Sequence, residues 1–228
     1  MSFDKLLAIE TATQVCSVCY QDERGEVFEK RTERKGSHSE LLFIFIRELM
    51  EENGFRISDL NAVLVSTGPG SYTGLRIAAS SVKGLLFGFD IPVYAGNTLA
   101  GFAQMSGMGK VHSVINARRK HLYHQLFDKN SEVKAVSEAR ILELDQIENM
   151  LNEGDSIIGT GMDRLDEERV EQLKVLEATS ISAKGLIDLF KSGSKEEFFS
   201  KTTPEELESN YLSSSQVNNT NVSKANSN

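Results

Sequence analysis

No stretch of the 228 residues approaches the roughly 20 consecutive apolar residues of a membrane-spanning helix, so no membrane partner is expected. The first twenty residues hold no basic region leading into a long apolar run. No signal peptide is read there, and a cytoplasmic location is expected. Cysteine is scarce. Cys16 and Cys19 form a lone Cys-x-x-Cys, but they fall in a strand-like stretch where residues three apart point to opposite faces. That geometry favours two buried small side chains over a redox pair or half a zinc site. Cations are outnumbered by 25 to 33, giving a net charge of −8. The imbalance is 11 basic against 13 acidic residues in 1–110 and 14 against 20 in 111–228. No basic field of the kind that grips a phosphate backbone unaided is present, so nucleic acid would be reached only through a complex. At 39% hydrophobic and 25% charged, the composition is that of an ordinary soluble globular protein.

Familiar catalytic signatures are also missing. There is no His-Glu-x-x-His, and no Ser–His–Asp set can be chosen among the four histidines without being arbitrary. His38 is read as a capping-region or surface histidine, and His121 and His124 as lying on opposite strand faces. The segment 67–74, Thr-Gly-Pro-Gly-Ser-Tyr-Thr-Gly, joins a strand to a helix start, where backbone N–H groups and the helix dipole favour phosphate. It lacks the Gly-Lys-Ser/Thr of a P-loop, and its third glycine comes one place late for Gly-x-Gly-x-x-Gly. A phosphate cradle and a tight turn needing glycine backbone angles are both open readings. The turn 10–13, Glu-Thr-Ala-Thr, contains no glycine to let a backbone close on phosphates, which disfavours nucleotide hydrolysis.

What is present is an alternation of strands and helices. Apolar or alternating runs at 6–9, 15–20 and 26–32 predict three antiparallel strands, followed by a helix from Ser37 to Gly54 opened by Ser-His-Ser-Glu. A buried-type strand at 62–66, a helix over 73–87 and a strand at 91–94 complete a βββαβα order. Strands at 111–115 and 121–127 around a polar turn at 116–120 repeat the first hairpin's layout. A short helix at 144–151, a strand at 156–159 and a helix at 182–191 follow. We therefore expect an α/β fold of two duplicated subdomains, 1–105 and 106–208, with a polar and flexible tail at 209–228.

Two helices bear on function. On the first, Leu42, Phe43, Phe45, Ile46, Leu49 and Met50 fill one broad apolar arc, while Leu41 and Ile44 fall outside it among charges. On the second, Gly74, Ala78, Ala79, Ser80, Ser81 and Gly84 are all small, although glycine costs about 1 kcal/mol against alanine in a helix. Such helices gain close approach to something, either their own sheet or a partner, with Leu75, Ile77, Val82, Leu85 and Leu86 as the area to bury.

Several motifs together carry a resemblance. They are Leu-Ala-Ile-Glu-Thr-Ala-Thr at 7–13, His-Ser-Glu-Leu-Leu at 38–42, Gly-Pro-Gly-Ser-Tyr-Thr-Gly-Leu-Arg at 68–76, the Gly84–Val93 stretch and Asn-Ala-Arg-Arg at 116–119. The sequence resembles the TsaB (YeaZ) family, densely over residues 5–127 and thinly afterwards. The resemblance implies an actin-like (ASKHA, ribonuclease H-like) fold. It also implies a non-catalytic role in making N6-threonylcarbamoyladenosine at position 37 of tRNAs that read ANN codons. In that family the protein supports a catalytic paralogue, TsaD, with TsaE as an ATPase component, and it also pairs with itself through the two helices.

The interface residues expected on this basis are Leu41, Leu42, Phe45, Ile46, Leu49, Gly74, Ala78, Ser81, Val82 and Leu85. Charges at Leu42, Ile46 or Ala78 are expected to break assembly and leave the monomer folded. Thr11, Gly68, Gly70, Ser71, Arg118 and Arg119 are the candidates for nucleotide or RNA contact, the two arginines being equally readable as part of a strand turn. The paralogue's metal-binding histidine pair is replaced here by Thr98 and Phe102. No catalytic residue, metal or cofactor is nominated. A small-molecule kinase or ATPase of actin-like fold is the alternative, and a metallopeptidase a more distant one. Near the C-terminus, where the family commonly carries Pro-x-Tyr-x-Arg, Pro204 is followed by acidic residues.

Overall fold

Strand β1 (Leu6–Glu10) is buried along its whole length, as a central strand of a sheet covered on both faces must be. The computed structural model describes residues 4–34, 36, 38–117 and 119–208. Around β1 stand β2 (Cys16–Gln21), β3 (Val27–Thr32), β4 (Ala62–Gly68) and β5 (Val93–Asn97), with α1 (His38–Asn53) and α2 (Tyr72–Leu85) between them in sequence. β1 runs antiparallel to β2, Leu7 facing Tyr20, and parallel to β4, Leu7 beside Val63. Helix α3 (Thr98–Gln104) then leads into the second half. That half contains β6 (Gly109–Asn116), β7 (His121–Lys129), β8 (Val133–Ala135), β9 (Arg140–Glu143), α4 (Leu144–Glu148), β10 (Ser156–Gly159), α5 (Glu167–Val170) and β11 (Lys174–Leu176). Helices α6 (Lys184–Lys191) and α7 (Lys195–Phe198) and strand β12 (Phe199–Thr202) close the described chain.

The two sheets have the same core order. The first reads β12-β5-β4-β1-β2-β3 and the second β11-β10-β6-β7-β8, with β9 also on β7. In each, a hairpin (β1–β2 or β6–β7) carries two further strands parallel to its first member. Both strands beside the hairpin end in a glycine with a φ of 134°, Gly68 and Gly159. The duplicated layout read from the sequence is thus present as topology, in two mixed sheets flanked by helices.

Strand alternation sorts the apolar residues into three layers. Leu7, Ile9, Cys16 and Val18 join α1 and α2 on the outer face of the first sheet. Leu6, Ala8, Cys19 and Leu64 face inward, where α3 and α6 fill the space between the sheets with Phe102, Leu186 and Phe190. Val114, Leu122 and Ile157 form the outer layer of the second sheet with Ile147 and Leu151. Cys16 and Cys19 therefore lie on opposite faces, both buried as free thiols pushed up to about 12 by burial.

Several expectations are corrected. The 106–208 unit does not close on itself, because β12 returns to pair antiparallel with β5, Phe199 opposite Gly96. Apolar burial drives the return: Phe198 and Phe199 belong to the layer between the sheets. α3 gave no periodic signal because residues 98–103 are buried on every side; only the Asn97 side chain, accepting from the Ala100 N–H at 3.0 Å, marks its start. Phe43, counted in the apolar arc of α1, is 48% exposed. His38 is buried, its Nε2 3.1 Å from the Val15 carbonyl. Ser37, expected to open α1, and the tail at 209–228 lie outside the described residues.

Candidate functional site

The hairpin turn after β1 and the loop after β4 meet at the mouth of a cleft between the two halves. Helix α2 begins there because Ser71 caps it, the Ser71 Oγ accepting from the Gly74 N–H at 3.3 Å. The loop presses hard on the turn. The Ser71 N–H donates to the Ala12 carbonyl at 2.7 Å, and the Thr11 hydroxyl donates to the Gly74 carbonyl at 2.9 Å. A Cβ on Gly70 would stand 2.5 Å from the Ala12 oxygen, and one on Gly74 would stand 2.0 Å from the Thr11 oxygen. Close backbone approach is thus what these two glycines provide.

Several of the groups a phosphate would use are already bonded within the chain. The Ala12 N–H donates to the Glu10 carboxylate at 2.6 Å, the Val15 N–H to the Thr13 hydroxyl at 3.1 Å, and the Gly68 N–H to the Thr98 hydroxyl at 3.0 Å. Thr11 is fully buried. Of the nucleotide or RNA candidates, Ser71 and Arg119 line the cleft, whereas Thr11 and Gly70 hold turn to loop and the Gly68 N–H is bonded to Thr98 at the start of α3. Arg119 sits in the matching turn of the second hairpin with a φ of 50°. Arg118 lies outside the described residues.

Glu10 lies fully buried beneath the turn, and burial pushes its carboxyl up to about 7, against the opposing pull of the Ala12 N–H and the Ser66 hydroxyl. Its sign is unusual for an acid. Between pH 4.5 and 7 the folded chain holds a proton that the unfolded chain has released, so this group's contribution to stability falls as pH rises through that window. Glu10→Gln keeps an acceptor for Ala12 and removes the buried charge. Urea denaturation is expected to find it gaining about 2 kcal/mol on the parent between pH 5 and pH 8; a pH-independent difference would contradict the assignment.

A second buried cluster escaped the sequence reading. His112 Nδ1 and His124 Nε2 are 3.0 Å apart, and His112 Nε2 is 3.3 Å from Asp155 Oδ2. With the carboxylate accepting from Nε2, Nδ1 of His112 accepts from His124. Burial lowers both histidines, His124 to about 3, so the pair is neutral at pH 7. Because His112 uses its two nitrogens in opposite directions, the three groups do not converge on one point. Among the described residues no group of three or more histidines, cysteines or acids is placed to hold a metal ion. Thr98 and Phe102 are buried in the layer between the sheets.

The expected interface residues divide by burial. Leu42, Ile46, Leu49, Gly74, Ala78 and Val82 are buried in the chain's own core, and Ser81 is nearly so. Leu41, Phe45 and Leu85 are half-buried. The idea that charges at Leu42, Ile46 or Ala78 would spare the monomer is therefore corrected: these side chains hold α1 and α2 to the sheet. The outward edges of the two helices carry Phe43 and Tyr72, 48% and 54% exposed. The Arg76 guanidinium lies 5.2 Å over the Tyr72 ring and donates to its hydroxyl at 2.8 Å. Between these edges runs a shallow groove of about 430 Å³, floored by Ile77.

A family model described as TsaD, tRNA N6-adenosine threonylcarbamoyltransferase, matches residues 29–218. The tRNA threonylcarbamoyladenosine biosynthesis protein TsaB of Escherichia coli (strain K12) is 31% identical over 123 residues, 52% of this chain and 53% of that protein. The match to the protein of that name from Haemophilus influenzae is similar, 32% over 124 residues. The chain thus spans about half the length of these two relatives. The TsaB of Buchnera aphidicola subsp. Baizongia pistaciae is 24% identical over 212 residues, 87% of this chain and 96% of that one. YeaZ from Pseudomonas aeruginosa superposes with a TM-score of 0.76 at 26% identity, covering 92% of this chain and all of that one. Among the described residues no helix is long and apolar enough to cross a membrane. With the transferase model spanning most of its length and TsaB and YeaZ proteins as its relatives, the chain belongs to the TsaB/YeaZ family.

Proposed function

We propose that the chain is a non-catalytic partner subunit in the synthesis of threonylcarbamoyladenosine on tRNA. In this reading it docks a TsaD-type transferase through the outward edges of α1 and α2. The observation that carries the proposal is the exposed Phe43–Tyr72–Ile77 groove, an apolar strip on two helices already anchored from behind by buried Leu42, Ile46, Ala78 and Val82. Rigid helices presenting aromatic side chains are what a helical subunit contact uses. Relatives named for threonylcarbamoyladenosine biosynthesis support the pathway. The same face serves self-pairing, a TsaE-type ATPase joins through the complex, and the net charge of −8 leaves tRNA to the other subunits.

The ATPase alternative is disfavoured by the hairpin turn, where Ala12 and Val15 donate to side chains rather than to a ligand. Light scattering of the chain mixed with the TsaD-type transferase of the same organism tests the proposal. A stable complex with both chains is expected. Failure to associate, alone or with tRNA and the TsaE-type ATPase present, would remove the proposal. Turnover of ATP by the isolated chain would restore the alternative.

A further inference from the structure

The cleft between the two halves has a volume of about 1870 Å³, well above the roughly 300–1,000 Å³ of small-molecule sites. Its walls offer the half-buried Val170 and Leu173 and the exposed Val175, backed by the buried Ile115, Met162 and Leu165. Its rim is acidic. Asp163, Glu167, Glu171 and Glu177 line it, all exposed, and none has a cationic partner among the described residues. Glu33, also in the lining, pairs with Arg31 at 3.2 Å. Two cations offset these five acids, Arg119 and Arg164, and the Arg164 guanidinium is already held by the Asn116 side-chain oxygen at 2.8 Å and the His121 carbonyl at 3.3 Å.

Three features set the occupant's chemistry. The acidic rim repels phosphate and attracts lysine and arginine. Backbone donors are spent on both sides of the cleft: the Asn116 N–H goes to the Thr160 hydroxyl at 3.3 Å and the Thr160 N–H to the Val114 carbonyl at 3.0 Å, while opposite them the Ala12 N–H goes to the Glu10 carboxylate and the Ser71 N–H to the Ala12 carbonyl. The cleft is also continuous with the groove between α1 and α2, for Ser39, Thr73 and Ile77 line both. A protein seated on the helix edges therefore borders the cleft directly.

We propose that the cleft receives a lysine- or arginine-bearing segment of the same partner that docks on α1 and α2, its apolar side on Val170, Leu173 and Val175 and its cations on the acidic rim. This rests on the docking reading given above and names a second contact for that partner. An amphipathic basic segment in an apolar, acid-rimmed groove is an established mode of recognition.

The test uses the full chain and the TsaD-type transferase of the same organism. Glu167→Lys/Glu171→Lys reverses two exposed charges, and its thermal melting should match the parent's. At 50 mM salt it should bind the transferase at least tenfold more weakly, and at 300 mM salt the gap should narrow to threefold or less, because exposed charges are screened. Phe43→Asp should bind poorly at both salt concentrations. A charge-reversed chain that binds like the parent at 50 mM overturns the inference and leaves the docking reading intact, provided Phe43→Asp has lost binding. If Phe43→Asp also binds like the parent, the docking reading fails with it. Binding of ADP or ATP that weakens on Arg119→Ala overturns the inference by making the cleft a phosphate site. Self-association without the transferase, lost in the charge-reversed chain, overturns it by making a second copy the occupant.

Discussion

Replacing Leu42 by Asp should strongly destabilise the isolated chain, whereas the same change at Phe43, the next residue of α1, should leave its stability nearly unchanged. Leu42 is fully buried among Ile46, Leu49 and the strands beneath them. An aspartate there forfeits the leucine's burial, leaves a void and places a carboxylate where it has no cation, a combined cost of about 4 kcal/mol or more. That is a large share of the 5–15 kcal/mol that typically separates folded from unfolded chains. Phe43 points outward, so its replacement should change stability by no more than about 0.5 kcal/mol. Its effect should fall on association. Losing an aromatic anchor and setting a charge against the partner should weaken transferase binding about 100-fold, or about 2.7 kcal/mol. Urea denaturation of both variants, followed by binding of whichever remains folded, reads the contrast. Coincident unfolding curves for the two would show that α1 is not seated as described.

Within α2, two glycines should respond in opposite directions. Gly74→Ala places a methyl group 2.0 Å from the Thr11 carbonyl oxygen, in a buried first turn whose backbone also accepts the Thr11 hydroxyl. Neither backbone yields easily, so a loss of about 3 kcal/mol is expected. Gly84 is exposed, and a Cβ there meets nothing within 4 Å. Gly84→Ala should therefore stabilise the chain by about 0.5–1 kcal/mol, through the helix propensity of alanine and the smaller entropy of its unfolded chain. Thermal melting of the two variants measures both effects, and a destabilised Gly84→Ala would show that something in the chain already approaches that position. The small residues of α2 thus have different causes: Gly74 buys contact with the hairpin turn, and Gly84 makes no such contact within this chain.

These cases show where sequence reasoning held. Cys16 and Cys19 were separable to opposite faces because strand alternation is a local rule. The 68–74 loop was legible because its glycines and Ser71 are required by one turn and one helix start. Phe43 was misplaced because a helical arc is continuous, and the angular position of a residue at its edge does not reveal whether the sheet beneath extends that far. His38 read as a surface residue because its partner, the Val15 carbonyl, is 23 positions away. The His112–His124–Asp155 cluster joins residues 12 and 43 positions apart and has no spacing signature at all.

The sequence by itself determined the strands and helices of the first half up to β5, the repeated hairpin layout, the family and the absence of a glycine from the first turn, because propensity, alternation and motif are properties of neighbouring residues. Tertiary structure alone decided which apolar side chains are spent inside. It seated Leu42 and Ala78 in the core and left Phe43 and Tyr72 outside. It also brought Asp163, Glu167 and Glu171 to the rim of a cleft whose lining includes residues 12–14 and Ser71, Thr73 and Gly74. The physical reason is that burial and electrostatic field depend on what packs against a residue from distant parts of the chain, and those neighbours are chosen only when the sheets and helices close on one another.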